Sequence, residues 1–121
     1  MILWDSSALL AFLLDEPGAD AVEDRLSHPT VCSAANWSEI AQKLIAHQRN
    51  WPAARALLQG MGLRVEPVTA VDAEHAAVLW STHRTLSLAD RLCLATGHRL
   101  DADIWTADRS WGDERPVRQI R

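Results

Sequence analysis

The chain has 121 residues, of which 48% are apolar and 23% are charged, and its formal net charge is -4. This balance is typical of one globular domain, which we expect to span residues 1–121 and to fold without disulfide or zinc staples. The excess of acids excludes a protein that coats nucleic acid through an overall positive charge. A nucleic-acid enzyme is not excluded, because the placement of charges matters more than their sum.

Neither the cysteines nor the longest apolar run indicates an exported or membrane protein. Cys32 and Cys93 are far apart and form no Cys-x-x-Cys pair, which argues against a disulfide framework and a thiolate metal site. The apolar run over residues 8–14 is shorter than the roughly 20 residues that span a bilayer. It follows Asp5 rather than a basic segment, unlike a signal peptide. We therefore predict a cytoplasmic protein.

Short apolar strands alternate with helices along the whole chain. The strands are predicted from short apolar runs, and the helices from apolar spacing and capping residues. In chain order, we predict a strand over 1–4, helices over 6–14 and 18–27, a strand over 30–32, helices over 34–48 and 50–60, a strand over 63–68, helices over 71–83 and 88–99, a strand over 103–106 and an edge strand over 116–120. This alternation is typical of an α/β fold with a central, mostly parallel sheet flanked by helices.

Two aspartates come after predicted strands. Asp5 follows the first strand, and Asp108 follows the strand over 103–106. In parallel α/β sheets, ligands bind outside the carboxyl ends of the strands, so both carboxylates are directed toward that crevice. Each aspartate has a simpler alternative role as the N-cap of the helix that follows it.

Two further acids lie in predicted helices. Glu39 falls at the margin of the apolar stripe of the helix over 34–48, where a solvated helix face is the simpler alternative. Asp90 stands three residues after Ser87, and the two residues match a capping box. This position also places the carboxylate at the positive end of a helix dipole, which keeps it ionised as an anionic metal ligand must be. The two interpretations of Asp90 are therefore compatible.

The four acids are more informative together than singly. If neighbouring carboxylates met about 5 Å apart, each pair would repel by roughly 3 kcal/mol at an effective dielectric of about 20. A fold tolerates such repulsion by protonating some of the acids or by binding a cation. Oxygen ligands without His or Cys favour Mg²⁺ or Mn²⁺, and these ions serve phosphate chemistry. The acids therefore indicate phosphodiester hydrolysis.

The segments around these acids resemble the PIN-domain ribonucleases, and within them the VapC-type toxins of bacterial toxin–antitoxin pairs. The likeness is carried by residues 3–9, 36–39, 86–90 and 106–111, whose order and spacing are more specific than any one segment. It covers essentially the whole chain. The chain is somewhat short for the family, which indicates trimmed loops.

The resemblance implies a single PIN-like domain and a Mg²⁺-dependent endoribonuclease, with Mn²⁺ as a second usable ion. Asp5 and Asp90 would be the direct metal ligands, whereas Glu39 and Asp108 would complete the cluster or orient the attacking water. Other positions would support them. Ser6 and Thr106 match small polar positions of the family and would hydrogen-bond a carboxylate, a water or the scissile phosphate.

The resemblance also implies an RNA substrate, a cognate antitoxin protein and a homodimer. Arg91 and Arg109 each directly follow one of the acids, and we predict that they contact RNA phosphates. The apolar first helix is a candidate partner surface, although we expect most of its side chains in the core.

Two alternatives come from other functional classes. A catalytically degenerate PIN-like domain would act only as a binding module, but all four acids are intact. A phospho-receiver domain would need paired acids after the first strand and a lysine late in the chain, whereas Lys43 is the only lysine. We therefore keep only the binding module as the alternative to the nuclease.

Overall fold

Five parallel strands form the centre of the protein in a computed structural model that describes residues 1–121. In chain order they are β1 (Ile2–Trp4), β2 (Thr30–Ser33), β3 (Leu63–Glu66), β4 (Asp103–Thr106) and β5 (Val117–Gln119). They form one sheet in the order β3-β2-β1-β4-β5, and all four pairings are parallel. The predicted α/β class and parallel sheet are confirmed. The strand order reverses at β1, and such a switch point is where ligands bind in open α/β sheets.

Six α-helices connect the strands. In chain order they are α1 (Ser6–Leu13), α2 (Ala19–Leu26), α3 (Ala34–Ala46), α4 (Trp51–Gly60), α5 (Ala70–Leu79) and α6 (Leu88–Leu100), and a 3₁₀ turn covers Arg109–Trp111. Every predicted element is present. None of the helices is both long enough and apolar enough to cross a membrane.

The largest difference from the predicted boundaries is at the end of α5, which stops at Leu79 rather than at residue 83. The hydroxyl of Ser81 donates to the carbonyl of Val78, and the hydroxyl of Thr82 donates to the carbonyl of Leu79. Such side-chain bonds compete with the helical hydrogen-bond ladder for the last carbonyls of a helix. The apolar pattern itself runs only to the C-cap Trp80, and the two consecutive hydroxyl residues after it end the helix.

The core lies on both faces of the sheet because successive strand residues point to opposite faces. Trp4 and Cys32 are buried in a larger cluster with residues of α1 to α4. Leu3 and Ile104 are buried in a smaller cluster with Cys93 of α6. The two clusters give the three-layer α/β/α arrangement.

α6 approaches the sheet closely at Gly97. A Cβ atom at this position would lie 2.5 Å from Cδ1 of Ile104 in β4, which is too close for any side chain. Glycine therefore lets α6 pack directly on the sheet. This close packing holds α6 against β4, and the first turn of the same helix carries Asp90.

Candidate metal centre

Three of the four predicted acids meet at the carboxyl ends of the central strands. Asp5 follows β1, Glu39 lies in α3, and Asp90 lies in the first turn of α6. One carboxylate oxygen from each residue lies within 4.8 Å of those of the other two. The three side chains line an open cavity of about 560 Å³. Topology thus collects acids that are up to 85 residues apart in the sequence.

Asp108 lines the same cavity but does not belong to this group of three. It is exposed, and it is the N-cap of the 3₁₀ turn. Its Oδ1 atom accepts hydrogen bonds from the backbone N–H of Ser110 at 2.9 Å and from the Ser110 hydroxyl at 2.7 Å. Asp108 therefore caps the turn, as the simpler alternative predicts, and also faces the cavity from its rim.

Asp5 is the most buried of the acids, with 2% of its surface exposed. It occupies the N-cap position of α1, but its side chain makes no capping hydrogen bond, so capping does not explain the carboxylate. Its Oδ2 atom accepts hydrogen bonds from the hydroxyls of Ser7 at 2.6 Å and Thr106 at 2.8 Å. Its Oδ1 atom is buried without any hydrogen-bond partner. An unpartnered carboxylate oxygen beside two further acids fits a ligand of a cation.

The surroundings of Asp5 disfavour its charged form in the absence of a cation. Burial raises the pKa of Asp5 to about 6, against the opposing effect of the hydrogen bonds from Ser7 and Thr106. The negative charges of Asp90 and Glu39 add to the increase. A cation in the cavity would stabilise the charged carboxylate and would therefore lower the pKa of Asp5.

Glu39 is held in place by its neighbours. Its Oε1 atom accepts hydrogen bonds from the Ser6 hydroxyl at 2.9 Å and from Nδ2 of Asn36 at 2.8 Å. Asn36 is fully buried, and its own Oδ1 atom accepts a hydrogen bond from the Ser33 hydroxyl at 2.8 Å. The interpretation of Glu39 as a freely solvated side chain is therefore wrong.

Asp90 combines a capping role with a place in the cluster. The predicted capping box with Ser87 is present, with both backbone-to-side-chain distances at 3.1 Å. Burial raises the pKa of Asp90, the hydrogen bonds from Ser87 oppose this, and the charges of Glu39 and Asp108 add to it. The pKa of this carboxylate therefore also reflects the crowding of negative charge.

The four acids share one pattern. In each, one carboxylate oxygen accepts hydrogen bonds from the protein, and the other accepts none. The engaged oxygens are Oδ2 of Asp5, Oε1 of Glu39, Oδ2 of Asp90 and Oδ1 of Asp108. Oriented carboxylates with a free oxygen are the donors that Mg²⁺ and Mn²⁺ take in proteins. The residues present therefore fit a hard divalent cation.

Sequence reasoning found Ser6 and Thr106 beside the acids, and both hydrogen-bond a carboxylate in the structure. It missed Ser7 and Asn36, which hold Asp5 and Glu39. Asn36 has a detectable signal, because it stands three residues before Glu39 and so lies on the same helix face. Ser7 stands two residues after Asp5, so its bond to that carboxylate is local, whereas its contact with Thr106 depends on the pairing of β1 with β4.

The structure does not bring the two predicted RNA-binding arginines to the cavity. Arg91 turns toward α5, where its Nη1 atom donates a hydrogen bond to the carbonyl of Ala76 at 2.7 Å. Arg109 is exposed in the 3₁₀ turn and is not among the residues that line the cavity. The basic side chains that do line it are Lys43 of α3 and His47, the C-cap residue of that helix.

A family model described as the PIN domain matches residues 2–113 of the chain. No curated protein matches the sequence. Among solved structures, a toxin–antitoxin complex from Klebsiella pneumoniae has a TM-score of 0.82 and 17% identity, and the match covers 100% of this chain and 98% of that one. VapC20 of Mycobacterium tuberculosis, described as a sarcin-ricin loop cleaving toxin, has a TM-score of 0.73 and 21% identity, with coverage of 98% and 99%.

A third similar structure is VapBC2 of Rickettsia felis bound to a DNA fragment from its promoter, with a TM-score of 0.70 and 11% identity, and with coverage of 98% of this chain and 97% of that one. At these identities the likeness establishes a shared fold. The near-complete coverage of all three chains contradicts the expectation of trimmed loops.

Proposed function

The chain belongs to the PIN domain family, and we propose that it is a Mg²⁺-dependent endoribonuclease, the toxin of a toxin–antitoxin pair. The observation that carries this proposal is the buried, unpartnered Oδ1 atom of Asp5 within a group of three carboxylates. The similarity of the fold to structures described as toxins, one of them an RNA-cleaving toxin, supports it.

In this proposal Asp5 and Asp90 bind Mg²⁺ directly through their free oxygens, and Glu39 completes the cluster. Mn²⁺, which accepts the same oxygen donors, would replace Mg²⁺. When bound, such an ion supplies positive charge that offsets the scissile phosphate and lowers the pKa of a water. Ser7 and Thr106 fix the direction of the Asp5 carboxylate, and Ser6 and Asn36 fix that of Glu39.

Asp108 suits a different task, because it stands at the rim with one free oxygen. We assign to it the orientation of the attacking water and the acceptance of its proton. Hydrolysis then forms a bond between the water oxygen and phosphorus and breaks a phosphorus–oxygen bond of the RNA backbone. The departing oxygen takes a proton from solvent, which reaches the open cavity.

We also propose the domain organisation, the location and the partners of the protein from its family and its similar structures. The chain acts as a single PIN domain over residues 1–121 in the cytoplasm, as a homodimer that a cognate antitoxin inhibits. The half-buried apolar side chains at the end of α1 are available to such a partner, because Leu10 of α1 and the C-cap residue Leu14 line a cavity beside the candidate metal centre. They are only partly covered by the protein itself.

The decisive experiment compares RNA cleavage by the wild type and by Asp90→Asn in Mg²⁺ and in EDTA. We expect Asp90→Asn to lose more than about a hundredfold in rate, since loss of a residue that merely orients a ligand already costs about ten- to a hundredfold. The matched control is Asp24→Asn, which removes an exposed acid of α2 outside the cavity.

Full activity of Asp90→Asn would refute the assignment. A wild-type protein that is stabilised by Mg²⁺ but cleaves no RNA would favour the binding module instead.

A further inference from the structure

The only lysine of the chain lies where three cavities meet. Lys43 of α3 lines the cavity of the candidate metal centre and also the two cavities beside it. One neighbouring cavity extends past His47 to Arg49, and the other extends past Asp108 to Arg121. The two neighbouring cavities also share one acid, Glu16, and each has one arginine in its lining. Lys43 is the basic residue that all three cavities share.

The Lys43 ammonium is not used by the protein. The three ion pairs of the structure involve Arg64 and Arg99, and no side-chain hydrogen bond comes from Lys43. Glu39 stands four residues before it, which is the usual spacing for an ion pair on a helix. However, Ser6 and Asn36 hold the Glu39 carboxylate toward Asp5, and Glu39 does not pair with Lys43.

The spacing along α3 matches a chain of charges that leaves the metal centre. With a rise of about 1.5 Å per residue, Lys43 lies about 6 Å beyond Glu39 along the helix axis. His47 is the C-cap residue of α3, one further turn along the chain. All three line the same cavity, and both Lys43 and His47 are exposed to solvent. α3 therefore presents an acid of the cluster and then a cation to this cavity, and the C-cap residue adds an imidazole.

The phosphates of a nucleic acid strand require positively charged or hydrogen-bond-donating side chains beside an acidic metal centre. A cation held by the acids offsets the charge of the scissile phosphate, but the neighbouring phosphates must still pass a cavity rim that bears acidic side chains. Lys43 is the one permanently positive side chain that lines the cavity of the centre. A histidine N–H donates to a phosphate oxygen in either protonation state.

We propose that Lys43 and His47 form a phosphate subsite that holds the RNA backbone next to the scissile phosphate. The proposal rests on the proposed ribonuclease function and assigns the two residues a positioning role. Contacts to phosphate fix the register of a strand without reading its bases. The subsite therefore contributes affinity and placement and leaves sequence preference to other residues.

The test measures binding of a fluorescent single-stranded RNA of random sequence, by anisotropy over a range of salt concentrations, to the wild type, Lys43→Met and Lys43→Arg. Arg55→Met is the matched control, because it removes one exposed positive charge from α4 outside these cavities. We expect Lys43→Met to weaken binding about fivefold and to reduce the salt slope by about 0.7, the value for one phosphate contact on a single strand. Lys43→Arg should restore both quantities, and His47→Gln should weaken binding further when combined with Lys43→Met.

Two further readouts separate positioning from an effect on the metal centre. In cleavage assays Lys43→Met should raise KM about fivefold and change kcat by less than about threefold. The affinity for Mn²⁺, measured by calorimetry, should stay within about twofold of the wild type. A Mn²⁺ affinity that falls as much as the RNA affinity would overturn the subsite.

The outcomes distinguish this proposal from the proposed function. Normal RNA cleavage with unchanged RNA binding in Lys43→Met, or an equal loss in Arg55→Met, overturns the subsite and leaves the ribonuclease assignment intact. Lys43-dependent RNA binding by a wild type that cleaves no RNA rejects the ribonuclease assignment and retains the subsite. A wild type that neither binds nor cleaves RNA overturns both.

Discussion

The Oγ1 atom of Thr106 lies 2.8 Å from the Oδ2 atom of Asp5, although 101 positions separate the two residues. The contact exists because β1 and β4 are neighbouring parallel strands, with Trp4 paired with Trp105. Ser7 binds the same Asp5 oxygen and accepts a hydrogen bond from the backbone N–H of Ala107 at 2.9 Å. Two adjacent strand ends thus hold one carboxylate oxygen of Asp5 and leave the other for a ligand.

Removal of the Thr106 hydroxyl should loosen Asp5 without changing the shape of the core. Thr106→Val keeps the branched side chain but leaves Oδ2 of Asp5 with Ser7 as its only donor, and it also removes the acceptor of the Asp108 backbone N–H. We expect Mn²⁺ affinity and the cleavage rate to fall about ten- to a hundredfold, as for other residues that orient metal ligands. Calorimetric titration and cleavage assays measure the two effects.

The chain offers a matched control for this substitution. Thr30 is also a buried strand threonine, but its hydroxyl has no hydrogen-bond partner. Thr30→Val should therefore leave metal affinity unchanged and leave the stability equal or slightly higher. Equal losses of Mn²⁺ affinity in both variants would show that the Thr106–Asp5 contact has no special role.

The carboxylate of Asp5 should destabilise the metal-free protein at neutral pH. Because the pKa of Asp5 is about 6 in the folded state, against 3.8 for the free side chain, the unfolded chain releases this proton at lower pH. The free energy of unfolding should then decrease as pH rises from about 4 to 6, with a total of about 3 kcal/mol for a shift of about two units. In Asp5→Asn the free energy of unfolding should lack this decrease, because the side chain has no proton to release.

The measurement is denaturant unfolding in EDTA at several pH values for the wild type and Asp5→Asn. We expect Asp5→Asn to become the more stable protein relative to the wild type as pH rises to about 6, with a constant difference above it. Saturating Mg²⁺ should stabilise the wild type and leave Asp5→Asn unaffected. A pH-independent difference between the two proteins would contradict the burial of an unfavourable charge at Asp5.

The fold could be predicted from the sequence because most helices begin with their own signal, a capping side chain. Ser33 caps α3, Asn50 caps α4, and the capping box of Ser87 and Asp90 starts α6, each through a local side-chain bond. These bonds involve residues within three positions of one another, so the sequence contains the whole signal. The end of α5 was harder to predict, because the hydroxyls of Ser81 and Thr82 end it through bonds to carbonyls of the last turn, and neither glycine nor proline marks the position in the sequence.

The site could be predicted only in part, because its contacts depend on direction as well as on proximity. Arg91 directly follows Asp90, but successive helix residues point about 100° apart, so Arg91 faces α5 instead of the cavity. Lys43 stands four residues after Glu39 and lies on the same helix face. This spacing is equally typical of an ordinary ion pair, so the sequence does not indicate that Lys43 faces the site. Ser7 is brought to Thr106 by strand pairing, which no local pattern encodes.

An ion-pair cluster that joins the edge strand β3 to helices α5 and α6 should govern stability in acid. Arg99 donates to both carboxylate oxygens of Asp72, at 2.8 and 3.0 Å, and to Glu66 at 3.0 Å. Hydrogen bonds from Arg99 and then Arg64 lower the pKa of Glu66. Burial raises the pKa of Asp72, but the bonds from Arg99 and Thr69 outweigh it, so the net shift is downward.

Lowered pKa values mean that this stabilisation is present above the ordinary pKa of about 4 and is lost as pH falls through the folded values. Arg99→Met should cost about 3 kcal/mol at neutral pH, because it leaves the carboxylate of Asp72 buried and poorly paired. It should also flatten the loss of stability below about pH 4. The control Arg64→Met removes an exposed partner of Glu66 and should cost less than about 1 kcal/mol. Urea unfolding from pH 3 to 7 tests both expectations, and equal costs for the two variants would refute them.

The close approach of α6 to the sheet at Gly97 should matter for both stability and the metal centre. In Gly97→Ala the new Cβ would lie 2.5 Å from Cδ1 and 2.7 Å from Cγ1 of Ile104. Although alanine favours a helix over glycine by about 1 kcal/mol, we expect a net loss of about 1–3 kcal/mol from overpacking. Because α6 must shift to relieve the clash and carries Asp90 two turns earlier, Mn²⁺ affinity should also fall.

Gly60→Ala in α4, whose Cβ meets nothing within 4 Å, should instead gain about 0.5–1 kcal/mol. Ile104→Val removes Cδ1, the closer of the two clashing atoms. Its loss of stability, measured by thermal unfolding, should therefore be smaller in the Gly97→Ala background than in the wild type. Equal losses in the two backgrounds would contradict the packing contact.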